Sequence, residues 1–310
     1  MNSRARLRKL RSALLTLLIV LGATQATPAT PPLEVRIYRS VSPDTRAADA
    51  RGFTRPMLDL LEEQLDLKIN FDLVEGTTAE DLYDFGEKIH NGSVHLGVIW
   101  GLEYGWLRKK YGQLEPFVVC AQHGAPYRSQ FMVRVESEAR NLADLRGKRL
   151  AMYPDLSLVD RVYVHELLRQ KEHTPDSYFH VLRCESSRQA IFAVNKGRAD
   201  CVLVNVVSFA RYGANRPGIK LRDVEASSEF PEVVLVGSRD AMKKLRVGLW
   251  EDLRDALRVI HETAEGEQCV DFWRTERFEL SGDRFERLVR ERLRDYPIRV
   301  LHQLDGAPSP

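Results

Sequence analysis

The chain has little that would mark it as an enzyme or a membrane protein. Beyond residue 23 it holds no charge-free apolar run of bilayer-spanning length, about 20 residues, which excludes a multi-span membrane protein. It has no Gly-rich phosphate loop, no G-x-S-x-G elbow and no H-E-x-x-H, so the common signatures of phosphoryl transfer, serine hydrolysis and zinc proteolysis are missing. Cysteine is scarce: Cys120, Cys184, Cys201 and Cys269 are the four, none in C-x-x-C spacing, which argues against a zinc knuckle or a thioredoxin-like redox site. An even count in an oxidising compartment allows disulfides, in any of three pairings, and buried free thiols are the equal alternative. His90 and His95 stand five apart, poorly placed for two metal ligands on one helix. No catalytic residue, metal or cofactor is therefore expected.

Charge of one sign is also lacking, with 46 Lys and Arg against 44 Asp and Glu. The small excess lies at the front, where Arg4, Arg6, Arg8, Lys9 and Arg11 precede the apolar run 13–23 and the stretch TQATPAT. A basic start, a short apolar middle and a small-residue exit predict a secretory signal over 1–29, cleaved after Ala26 or Ala29; an uncleaved anchor is the alternative. No cysteine near the exit suggests a lipid anchor. Without residues 1–29, 41 basic residues face 44 acidic ones, net −3, which gives no footprint for nucleic acid. The basic run 284–294 alternates with acids, as on a solvated helix face.

What is present is alternation. LEVRIYRS (33–40), KINFDLV (68–74) and HLGVIWG (95–101) read as strands, and 53–65 and 79–92 between them carry apolar residues at helical spacing. This order predicts an α/β fold with a largely parallel sheet. After a connecting stretch at 116–128 the pattern restarts: strands at 148–153, 178–184 and 199–207, helices at 157–171 and 187–197. The final third returns strand 232–238 and helices 250–264 and 285–295. Two α/β units, the second interrupting the first, predict a bilobal protein with a ligand cleft between lobes.

Four stretches, NGSVHLGVIWGLEYGWL (91–107), PYRSQFMVRVES (126–137), LADLRGKRLAMYPD (142–155) and SSRQAIFAVNKGRADCVLV (186–204), resemble in order and separation the periplasmic solute-binding proteins of phosphate, phosphite and phosphonate ABC importers. The resemblance implies a type II periplasmic-binding fold. Its lobe one would take 30–118 and 229–300, its lobe two 119–228, with two hinge crossings and a tail at 301–310. It implies a monomer that closes on a small-molecule ligand and delivers it to a membrane permease, without catalysis. A membrane sensor as the partner, or a secreted enzyme on the same scaffold, are the alternatives.

The family's Ser-Thr-Ser-Gly anion motif falls on Ser157, Leu158, Val159 and Asp160. Such a motif meets an oxyanion with hydroxyls and helix N-terminal N–H groups; here the first hydroxyl alone is kept. Asp155 and Asp160 flank it and would repel a dianion, so a ligand with an amine, a cation or neutral polar groups is expected instead. Asp155 and Ser157 would equally serve as helix caps. Ser187 and Arg188 open another helix and are further candidates, with capping and a solvated charge as their ordinary roles. Trp100, Tyr104 and Tyr127 follow strand ends and are the aromatic candidates for the ligand's body.

Overall fold

The computed structural model describes residues 31–41, 45–76, 78–122, 126–154, 156–214 and 216–304. The segment 1–29 expected to be an export signal, Asp155 and residues 305–310 lie outside them. Strands β1 (Leu33–Tyr38) and β2 (Ile69–Val74) form where apolar residues alternate with polar ones, β3 (Leu96–Trp100) is an apolar run buried on both faces, and β1 runs parallel to both of the others. Helix α1 (Ala47–Leu65) begins earlier than the periodicity suggests and continues through Pro56. Proline withholds the N–H owed to Gly52, but Gly52 faces solvent, and the buried stripe Met57, Leu58, Leu61 and Leu65 holds the helix down. Helix α2 (Ala79–His90) starts at a reciprocal cap: Thr78 Oγ1 accepts from the Asp81 N–H at 3.1 Å, and Asp81 Oδ2 accepts from the Thr78 N–H at 3.0 Å. Helix α3 (Gly101–Lys110) follows β3 without a loop.

The stretch read as a connection is a strand, β4 (Glu115–Gln122), carried past residue 118 within lobe one. The chain then builds a second sheet from β5 (Ser129–Arg134), β6 (Arg149–Met152), β7 (His180–Arg183), β8 (Cys201–Asn205) and β9 (Leu221–Ala226). Helices α4 (Leu158–Arg169) and α5 (Ser187–Asn195) lie between them. It returns to the first sheet as β10 (Val233–Gly237) and, after α6 (Leu249–Val259) and α7 (Ala264–Trp273), as β11 (Thr275–Glu279). The sheet orders are β11-β4-β10-β3-β1-β2 and β7-β6-β8-β5-β9.

Both sheets are mixed rather than largely parallel. The outgoing strand β4 and returning strand β10 enter side by side and antiparallel, and β5 is antiparallel to both its neighbours. The architecture is bilobal α/β, with one sheet per lobe and chain crossings between Gln122 and Ser129 and between Ala226 and Val233. All four cysteines are free and buried.

The C-terminal segment adds a third connection. Helix α8 (Asp283–Asp295) packs on α3 of lobe one, where Arg108 Nη1 donates to Glu286 Oε2 at 2.9 Å. Helix α9 (Arg299–Leu304) packs on α4 of lobe two, with Val300 and Leu301 fully buried. Residues 301–304, read as part of a tail, are thus helical, because Val300 and Leu301 supply an apolar face that lobe two covers. Between the two helices, Tyr296 accepts from Trp106 Nε1 at 3.0 Å through its carbonyl and stacks on Phe230 at 5.3 Å. A chain ending at Ile298 should sample wider lobe separations. Small-angle scattering should show a larger radius of gyration, and an unchanged one would mean that the strap bears no load.

Candidate functional site

Side chains of alternate strand residues share a face, and in lobe one that rule assembles an apolar wall. Leu33, Val35 and Ile37 of β1, Ile69 and Phe71 of β2, and Val98 and Trp100 of β3 all face one cavity. Met57, Leu58 and Leu61 of α1, Leu253 and Leu257 of α6, and Val270 and Trp273 of α7 form its opposite wall. The volume is about 150 Å³. Cys120 and Cys269 also face the cavity, and burial pushes both thiols up to about 12. Both are neutral at physiological pH and belong to the apolar wall.

The cavity opens between the lobes onto a polar end. Trp100, at the end of β3, meets Tyr127 from the outgoing crossing, their ring centroids 4.2 Å apart and tilted by 50°. Tyr127 is hydrogen-bonded to Ser157 at 3.0 Å. Ser157 caps α4 by accepting from the Asp160 N–H, and its hydroxyl donates to Asp160 Oδ2 at 2.6 Å. With that proton committed, the Tyr127 hydroxyl is the donor to Ser157 and its own oxygen keeps accepting capacity. Ser129 Oγ donates to Asp160 Oδ1 at 2.5 Å, and Asn205 Nδ2 donates to Oδ2 at 2.9 Å. Asp160 is fully buried, and burial pushes its carboxyl up, against the pull of these three donors.

This network takes away one of the two carboxylates on which the expectation of an amine, a cation or neutral polar groups rests. The carboxylate of Asp160 does not border the cavity; three protein donors occupy it. It lies in the first turn of α4, where the sequence resemblance places the family's anion motif. Asp155 lies outside the described residues.

Of the residues singled out from sequence, Trp100, Tyr127 and Ser157 come together around the cavity. Tyr104 does not. Because α3 starts at Gly101, Tyr104 turns to α8, where its ring lies 6.1 Å from that of Phe285 and its hydroxyl accepts from Arg108 at 2.9 Å. Ser187 and Arg188 open α5, capped by Ser186, and do not line the cavity. Ser187 is fully buried, and Arg188 is exposed over the ring of Phe192.

Sequence reading passed over Asn205, Ser208 and Arg211 at the polar end. Asn205 was visible as the one polar residue ending the apolar run CVLVN. Its Oδ1 caps the turn Val206–Phe209 by accepting from the Ser208 N–H at 2.8 Å. A π-helix, Ala210–Ala214, follows, a rare form that is frequent at functional sites. It carries Arg211 across to lobe one, where Nη2 donates to the Phe272 carbonyl at 3.3 Å. Among the described residues no carboxylate pairs with this guanidinium.

Glu103 holds the mouth from behind. It is fully buried and accepts from Ser40 Oγ at 2.5 Å and from the Trp100 N–H at 2.8 Å, while Trp100 Nε1 donates to the Ser40 carbonyl at 3.0 Å. Burial pushes its carboxyl up to about 7.

A family model described as ABC transporter, phosphonate, periplasmic substrate-binding protein matches residues 40–284. Solved structures of the same fold include XAC2383 from Xanthomonas citri bound to ATP, 16% identical with a TM-score of 0.62 over 89% of this chain and 99% of that one. PhnD1 from Prochlorococcus marinus in complex with methylphosphonate is 17% identical, with a TM-score of 0.61 over 84% and 97%. A binding protein component of an ABC phosphonate transporter from Pseudomonas aeruginosa, PA3383, is 16% identical, with a TM-score of 0.60 over 88% of each chain. At such identities these structures establish the fold. The family model spans most of the sequence, and on it the chain belongs to the periplasmic substrate-binding proteins of phosphonate ABC transporters.

Proposed function

We propose that this protein is exported to the periplasm, closes its two lobes on one small solute at the cavity between them, and hands it to the membrane permease of an ABC importer without chemical change. The observation that carries the reading is the convergence of Trp100 from lobe one with Tyr127, Ser157 and Asn205 on a single cavity, in a chain of this family. Residues from both lobes around one void are what hinge closure on a ligand requires. Trp100, Tyr127 and Ser157 are the proposed contacts on the sequence-derived set; Asn205, Ser208 and Arg211 join them. Tyr104, Ser187 and Arg188 are left out because they stand elsewhere.

Native mass spectrometry of protein purified from the periplasm should show a single small-molecule adduct that disappears after unfolding and refolding. Adding the released fraction back should change tryptophan emission, because Trp100 and Trp273 both line the cavity, and the change should shrink in Trp100→Phe. Absence of any adduct, together with no response to cell extract, would sink the solute-binding reading. Recovery of the solute in altered form would sink the non-catalytic one.

A further inference from the structure

We infer that the ligand is a small amphiphilic monoanion, with its charged head at Arg211 between the lobes and an apolar body of about six carbons inside lobe one. This inference rests on the solute-binding reading above and names the class of solute.

The size follows from the void. The cavity, its polar end included, holds about 150 Å³, the volume at which an apolar cavity binds a benzene-sized solute. The hydroxyls of Thr54 and Thr275 also line it, and Thr54 Oγ1 already accepts from Trp273 Nε1 at 3.0 Å; the rest of the inner wall is apolar. The side chains of Leu58, Leu61 and Leu257 facing Val35 and Val98 carry no donor or acceptor, and the two thiols among them stay protonated. A sugar, an amino acid zwitterion or a methylphosphonate placed there would lose its water without replacement. An alkyl or phenyl group would fill the same space at a gain.

The sign of the head follows from what remains at the polar end. Asp160 is shielded behind Ser129, Ser157 and Asn205 and cannot reach a cation. The charged side chain that does line the cavity is Arg211, half-buried and free of any ion pair among the described residues. Its link to the Phe272 carbonyl uses Nη2, which leaves other guanidinium N–H groups to meet an anion. Arg211 rises from lobe two and touches lobe one, so an anion bound to it would also favour the closed arrangement.

Titration calorimetry with straight-chain carboxylates from acetate to dodecanoate tests the inference, with methylphosphonate, hexanol and hexyltrimethylammonium as controls. Affinity should climb at least a hundredfold from acetate to hexanoate or octanoate and fall for longer chains. Methylphosphonate and hexyltrimethylammonium should bind at least tenfold more weakly than hexanoate. Arg211→Gln should weaken hexanoate at least tenfold and leave hexanol unchanged. Leu257→Phe, which narrows the chamber, should move the optimum to a shorter chain; should that variant not fold, Cys269→Leu serves the same purpose. Equal binding of acetate and octanoate overturns the apolar chamber, and an unaltered hexanoate affinity in Arg211→Gln overturns the head assignment. If a co-purified solute is seen by native mass spectrometry but no carboxylate of the series binds, the amphiphile is wrong while the solute-binding reading stands. If neither appears, both fall.

Discussion

Replacing Asp160 by glycine is expected to raise the affinity for inorganic phosphate or methylphosphonate by about a thousandfold. In the natural chain the start of α4 is occupied by its own carboxylate, which takes the hydroxyls of Ser129 and Ser157 and the amide of Asn205. An incoming oxyanion would compete for those donors and meet a like charge. Two unit charges about 4 Å apart repel by about 4 kcal/mol at an effective dielectric constant of about 20, which is about a thousandfold in binding. Glycine removes the charge, frees three donors and restores the residue type that the family's Ser-Thr-Ser-Gly pattern carries at this position. The N–H groups of the first helical turn then face open space, as an anion site needs.

The same substitution should lower stability. Three buried donors lose their acceptor, at about 1–3 kcal/mol each before water or rearrangement relieves them, and glycine inside a helix costs about 1 kcal/mol more. The two effects are separable by thermal unfolding with and without phosphate. Asp160→Gly should melt lower than the natural chain and recover part of the loss as phosphate is added, while the natural chain should not respond. A variant that melts low and ignores phosphate would assign Asp160 a purely structural role.

In lobe one, α2 was legible from its helical period and β3 as an unbroken apolar run. Leu82, Phe85 and Ile89 lie on one buried face of α2, and β3 is buried throughout. The strands β4 and β11 were not. EPFVVCAQ begins with an acid and a proline, and TERFE, at a sheet edge, has one apolar residue among three charges; what makes them strands is the partner beside them. The mixed sheets escaped for the same reason, since strand direction depends on where the chain re-enters lobe one.

At the site, Trp100, Tyr127 and Ser157 could be picked out because each sits at a junction between a strand or crossing and the next element. Arg211 could not, because its place is set by a contact with Phe272, which is 61 residues away. The chamber is the least legible feature of all. Leu58, Leu61 and Leu257 are ordinary core residues one by one, and a void is a property of how they fail to meet.

Glu103 should make the folded protein lose stability as pH rises through neutrality. Its carboxyl titrates near 4.5 when unfolded and about 7 when folded, so between those values the native state binds the proton more tightly. Such a group contributes stability that is fully present below about pH 4.5 and is lost as pH rises through about 7. A shift of this size corresponds to about 3 kcal/mol. Other buried carboxyls are also raised, Asp160 and Glu232 among them, so the informative quantity is a difference between variants. Glu103→Gln keeps an acceptor for the Trp100 N–H and can donate to Ser40 Oγ, but it has no charge to bury. Urea unfolding from pH 4 to 8 should therefore show the natural chain falling by about 3 kcal/mol relative to Glu103→Gln. The link between Glu103, Ser40 and Trp100 extends the effect to the mouth of the cavity. Ionised Glu103 draws water or moves away, and the indole it steadies shifts with it. Tryptophan emission should change with a midpoint near pH 7 in the natural chain and remain flat in Glu103→Gln. Parallel stability curves for the two proteins would show that Glu103 is not the group that titrates.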